Sequence, residues 1–125
     1  MKKFEEIIKR CQDNDRRYWA GDNIADLLED GDQEQLISDA TEAFETVLDT
    51  LIIDRFNDPN SQGTAKRLAK MYFNELMQGR YIEMPNATAF PNHIDGGYEG
   101  MLVVRSELKS MCSHHHQPVS GTAYI

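Results

Sequence analysis

Met111-Cys112-Ser113-His114-His115-His116-Gln117-Pro118 places one thiol and three imidazoles within a single short stretch. Thiolate and imidazole are ligands that zinc prefers, and a Cys-x-x-His step lets Cys112 and His115 converge on one ion. Two protein ligands do not complete a site, because catalytic zinc usually takes three and keeps a fourth position for water. The plainer reading, a polar strand-end turn that happens to hold histidines, stands beside the zinc reading at this point. On both sides of the stretch the residues alternate and are rich in β-branched types, so residues 99–108 and 117–125 are predicted as antiparallel strands joined by the Cys/His turn.

Upstream of the hairpin the signals change. Residues 80–98 carry Pro85, Pro91, Asn92, Asp95, Gly96 and Gly97 with few periodic apolar positions, and read as a long loop; His93 within it is read as a solvated histidine. Before that loop the apolar period is helical. Thr64 is predicted to cap a helix whose residues Leu68, Met71, Tyr72 and Leu76 share one side and which stops at Gly79. Arg67 and Lys70, three apart, fall on one face of it. Residues 54–63 are dense in turn formers. The clearest helix has Asp32 as N-cap, Gln35 at the reciprocal capping-box position, and Leu36, Ala40, Phe44, Val47, Leu48 and Leu51 at steps of three and four. Its acidic face, Glu34, Asp39, Glu42, Glu45 and Asp49, lacks a histidine one turn away and reads as solvated surface.

At the N-terminus, Phe4, Ile7, Ile8 and Cys11 mark an amphipathic helix within residues 1–17. Cys11 is read as a small buried hydrophobe, with a missing zinc ligand as the alternative. Trp19 is read as packing, and residues 23–29 as one or two helical turns. The shift from a 3.6-residue to a two-residue period near Gly100 predicts an α+β fold in one domain: helical over 1–79, loop over 80–98, hairpin over 99–125.

The chain has 125 residues and a formal net charge of −8. That charge argues against a nucleic-acid or anionic-membrane surface, so any anion must be held by a local basic cluster. Cys11 and Cys112 are far apart and form no disulfide framework. With no signal peptide or bilayer-length apolar run, the sequence fits a reducing cytoplasm.

Two segments resemble one family. Cys112-Ser113-His114-His115 with its flanking strands is similar to the zinc-site segment of GTP cyclohydrolase I. Thr64-Ala65-Lys66-Arg67-Leu68-Ala69-Lys70-Met71-Tyr72 resembles the start of that family's Thr-Pro-x-Arg-x-Ala-Lys-Met-Tyr helix, with Ala65 in place of the usual Pro. The resemblance covers roughly residues 64–125. It implies an incomplete tunnelling fold (T-fold) and a zinc-dependent hydrolysis of GTP at C8 of the guanine, releasing formate and giving 7,8-dihydroneopterin triphosphate. Zinc would serve by lowering the pKa of a water toward ~7. Carried over residue by residue, Cys112 and His115 match zinc ligands, His114 a histidine that handles or positions a proton, and Arg67 and Lys70 cations that hold the triphosphate. His116 falls where the family commonly has an apolar or aromatic residue and stays unassigned.

The third zinc ligand, a second catalytic histidine and the guanine-anchoring glutamate belong to a later part of the family's sequence. The chain therefore resembles the N-terminal part of such an enzyme, truncated or split. The implied partners are GTP and either further copies in a ring or a complementing C-terminal polypeptide. Relatives of the tunnelling fold that process pterins or deazaguanine precursors form a further enzyme reading. A non-catalytic helical interaction protein that keeps a partial metal turn is the alternative from outside the enzymes.

Overall fold

The computed structural model describes residues 1–91, 96–97 and 99–125; His93, read above as a solvated histidine, and Tyr98, the last residue of the expected loop, lie outside the described residues. The architecture is α+β, in two compact units, Met1–Glu83 and Met84–Ile125.

The first unit is helical. Helix α1, Lys3–Asp13, is shorter than its apolar pattern suggested, ending where Asp15 takes a left-handed φ of 50°. Ile7 and Cys11, one turn apart, face inward and join Ile24, Leu36 and Phe73 in the core. Cys11 is 1% exposed, so it serves as a small buried hydrophobe. A 3-10 turn, Ala25–Leu27, stands where one or two helical turns were expected.

Helix α2, Asp32–Thr50, starts differently from its sequence signal. Gly31, at φ 85°, is the N-cap, and Asp32 lies inside the first turn, 3% exposed. Its carboxylate accepts the Glu29 N–H at 2.9 Å and pairs with Arg10 and with Lys3, at 3.2 Å, on α1. Tertiary ion pairing has displaced the local capping box. Leu36 and Leu48 are buried, and the Phe44 ring sits 5.4 Å from that of Tyr72. The outer carboxylates do form a surface, where Glu42 meets Lys2 and both Glu45 and Asp49 meet Arg55.

Helix α2 ends in a Schellman arrangement: the Ile53 N–H reaches the Leu48 carbonyl at 3.1 Å and the Ile52 N–H the Asp49 carbonyl at 3.0 Å. Residues 54–63 then turn tightly, Asp54 accepting from Phe56, Asn57 and the Asn57 amide, and Asp58 from Asn60 and Ser61. Helix α3, Thr64–Met71, packs on α2 through Ala65 and Ala69, which are 5% and 0% exposed. Small residues at i and i+4 let the two backbones approach.

The helix expected to run to Gly79 is divided. After α3 comes a π-helical turn, Tyr72–Leu76, closed by the Met77 N–H on the Tyr72 carbonyl at 2.9 Å. A short helix α4, Gln78–Tyr81, follows. Arg80, expected to open a loop, is instead tied in: its guanidinium donates to the carbonyls of Tyr18, Trp19 and Asp22, and its own carbonyl accepts the Ile24 N–H. Trp19 does not pack in the core. It is 69% exposed, with the Arg17 guanidinium 4.2 Å from its ring centre.

The second unit holds the hairpin, β1 Arg105–Met111 antiparallel to β2 Pro118–Tyr124. Val104 and Ile125 extend the ladder, exchanging hydrogen bonds of 2.7 and 2.9 Å. The first strand thus starts later and runs further than the expected 99–108. Residues 101–103 lie past the last paired position, and strand periodicity in a sequence does not create a partner. The register sorts the two faces: Arg105, Glu107 and Lys109 with Thr122 and Tyr124 on one, Val104, Leu108, Val119, Ala123 and Ile125 on the other. Leu108, Val119 and Ile125 on the apolar face are 49%, 46% and 80% exposed. No helix among the described residues is long and apolar enough to cross a membrane.

Candidate functional site

The hairpin ladder carries the Cys/His segment to a four-residue turn. The Cys112 N–H donates to the Gln117 carbonyl at 2.9 Å, and the His116 N–H returns to the Cys112 carbonyl at 2.9 Å. This closure needs a left-handed residue at its last position, and His116 fills it at φ 54°. Glycine or asparagine is the usual occupant, since a Cβ crowds the backbone there. The sequence reading left His116 unassigned, and its left-handed backbone is a feature of the turn that the sequence did not signal.

Within the turn Cys112 is half-buried and His114, His115 and His116 are exposed. Cys112 Sγ lies 3.6 Å from His114 Nδ1, a sulfur–nitrogen hydrogen bond whose direction follows the imidazole tautomer. The side-chain contact of Cys112 is thus with His114, and His115 is its neighbour in the same turn. As a donor set, one thiolate and one imidazole on a rigid turn fit zinc chemically. Among the described residues no group of three or more His, Cys, Asp or Glu side chains is gathered as for a metal ion.

In the helical unit, Arg67 and Lys70 both lie on α3 as expected, and their surroundings differ. Arg67 Nη1 donates to the Gln62 carbonyl at 2.9 Å, and its Nη2 to the Asn60 carbonyl at 3.1 Å and Thr64 Oγ1 at 2.9 Å. Two of its five N–H groups therefore hold the loop before α3 and a third the first turn of α3 itself, which leaves Nε–H and the second Nη1–H. Gly63 makes this possible: it is the N-cap at φ 72°, and a Cβ built there would stand 3.3 Å from Arg67 Nη1. Thr64, expected as the cap, instead lies in the first turn and donates its hydroxyl to the Asn60 carbonyl. Lys70 is exposed. A guanidinium fixed by its own loop and an exposed ammonium one turn on have the chemistry to meet an extended polyanion.

The family model for GTP cyclohydrolase I matches residues 40–125. The chain is 33% identical to GTP cyclohydrolase 1 of Flavobacterium johnsoniae over 94 residues, covering 74% of this chain and 41% of that protein. It is 33% identical to the Aeromonas hydrophila protein of the same name over 81 residues, covering 63% of this chain and 36% of the relative. Against the Shewanella baltica protein the identity is 35% over 78 residues, with 61% and 35% covered. The chain belongs to the GTP cyclohydrolase I family. It spans well under half the length of these curated relatives. The match begins at residue 40, inside α2, so it includes more of the helical part than the two motifs alone had indicated.

Proposed function

We propose that this chain contributes the zinc turn and part of the triphosphate grip of a GTP cyclohydrolase I, which opens the guanine imidazole ring of GTP with release of formate. The observation that carries the proposal is the Cys112-Ser113-His114-His115 turn, set at the end of a hairpin inside the segment that matches the family. Cys112 and His115 hold the metal. When bound, zinc supplies Lewis acidity that brings the ionisation of a water close to neutral pH. His114 handles a proton at Nε2, because Nδ1 is turned to Cys112 Sγ. Arg67 and Lys70 take the triphosphate.

The remaining ligands and the guanine anchor come from a C-terminal polypeptide or from an extended chain. Among the described residues the hairpin is a two-stranded sheet with an unpaired edge on each strand, which supports its extension into a larger sheet, as copies in a ring. The free cysteines Cys11 and Cys112 suit a reducing cytoplasm.

The test is zinc content per chain together with formate release from GTP, for residues 1–125 alone and combined with the C-terminal part of a GTP cyclohydrolase 1 relative. Alone, the chain should hold zinc weakly and release no formate; with the C-terminal part both should appear. Cys112→Ala should remove both, and His114→Ala should keep the metal while slowing turnover ~10²–10⁴-fold. Tight stoichiometric zinc with turnover in residues 1–125 alone would overturn the shared-site reading, and zinc retained by Cys112→Ala would overturn the ligand assignment.

A further inference from the structure

Thr64 stands in the first turn of α3, where its hydroxyl donates to the Asn60 carbonyl at 3.2 Å. This bond to the carbonyl four residues back is one that a helical threonine readily makes, and it selects one of the side chain's two favoured rotamers. A hydroxyl has a single hydrogen, so Oγ1 is left as an acceptor, and Arg67 Nη2 donates to it at 2.9 Å. The same Nη2 donates to the Asn60 carbonyl at 3.1 Å. Thr64, Asn60 and Arg67 thus close a ring of hydrogen bonds.

The ring fixes the guanidinium. Both hydrogens of Nη2 are spent in it, and Nη1 spends one on the Gln62 carbonyl at 2.9 Å. Turning the guanidinium plane about the Cζ–Nε bond would break all of these bonds together. Two of the acceptors are backbone carbonyls of the preceding loop, and Thr64 Oγ1 is the side-chain acceptor of the set. Arg67 is exposed, so an anion can meet its N–H groups outside the ring without displacing packed side chains.

We infer that Thr64 is a positioning residue for anion binding, its hydroxyl holding the Arg67 guanidinium in the plane from which Nε–H and the second Nη1–H meet phosphate oxygens. The inference rests on the reading of Arg67 as a triphosphate contact and adds how that contact is preorganised. A guanidinium already held gives up little rotamer freedom on binding. One that must be ordered at that moment binds about three- to tenfold more weakly.

The test is a titration of residues 1–125 with tripolyphosphate, followed through the nitrogen–proton NMR signals of the Arg67 side chain, in the parent, Thr64→Val and Thr64→Ser. Valine keeps the shape and removes the hydroxyl, whereas serine keeps the hydroxyl. In the parent the two Nη2 hydrogens should give separate signals, because the ring slows rotation. Thr64→Val should merge them and raise the Kd for tripolyphosphate about three- to tenfold, and Thr64→Ser should restore both. Backbone amide signals of Thr64→Val outside residues 60–67 should match the parent's, which separates weaker binding from lost folding. Merged Nη2 signals in the parent, or one Kd for parent and Thr64→Val, would overturn the inference and leave the triphosphate reading in place. An Arg67 Nε–H signal that does not move with tripolyphosphate in the parent would overturn the triphosphate reading itself, and the inference with it.

Discussion

Asp32→Asn removes the buried α2 charge that Lys3 and Arg10 of α1 share, while keeping the side chain's size. Asp32 is 3% exposed. Deleting one partner of a buried ion pair typically costs ~3–5 kcal/mol, because the other charge is left behind. Here the cost should fall to about 2–3 kcal/mol, since Arg10 keeps Glu6 and Glu29, Lys3 keeps Glu6, and an asparagine oxygen can still accept the Glu29 N–H. At ~4–8 °C per kcal/mol for a unit of this size, melting should drop by roughly 10–20 °C.

Acid supplies a second readout. Burial pushes the Asp32 carboxyl up, but the Glu29 N–H, Arg10 and Lys3 together outweigh it and hold the group below its ordinary value. A carboxyl depressed in the folded state stabilises above its unfolded pKa, about 4, and loses that contribution as pH falls through the folded value. Urea unfolding followed by circular dichroism at 222 nm should therefore show a parent–variant gap that is constant near neutrality and closes below about pH 4. A gap under about 1 kcal/mol at pH 7, or one that persists undiminished into acid, would refute the assignment of Asp32 as the tie between α1 and α2.

His116→Gly should relieve the left-handed strain and stabilise the hairpin by about 1 kcal/mol, seen as slower amide exchange at Cys112 and His116; faster exchange would show that the histidine ring itself holds the turn. Arg67→Ala should release the Asn60 and Gln62 carbonyls, cost about 1 kcal/mol, and in the complemented enzyme raise KM for GTP; unchanged KM would leave Arg67 a loop clamp alone. Val119→Lys should reduce self-association of the chain in sedimentation, since Val119 lies on the hairpin's apolar face, whereas Lys109→Ala on the opposite face should not; an unchanged profile for Val119→Lys would mean that this face is not the one that associates.

What could be read in the sequence divides by the range of the forces involved. Local periodicity located α2, α3 and the hairpin, and the dense turn formers of residues 54–63 fold as their side chains dictate. The misplaced features were set by distant partners. Asp32 looked like an N-cap, yet Lys3 and Arg10 drew it into a buried network. Trp19 looked like core but lies outside it. The π turn at Tyr72–Leu76 left no trace in the apolar spacing. At the site, residue types and the Cys-x-x-His step were enough to single out Cys112, His114 and His115, whereas the Cys112–His114 contact and the strain at His116 arise from turn geometry that spacing does not reveal. The loop-clamping bonds of Arg67 likewise needed the fold of residues 60–64.

The π-helical turn carries a consequence for which lengths of chain this fold tolerates. It inserts the phase error of a single residue between α3 and α4, about 100° of rotation in an α-helix. Deleting one residue within Tyr72–Leu76 would restore regular α-helical bonding and yet swing everything after it around the axis. Tyr81 would leave the Phe73 ring, now 4.6 Å away, and Arg80 would lose the three carbonyls of the 18–22 loop. The locally more regular helix would be the globally misaligned one. The irregular turn thus sets the angular phase of the segment that closes the helical unit.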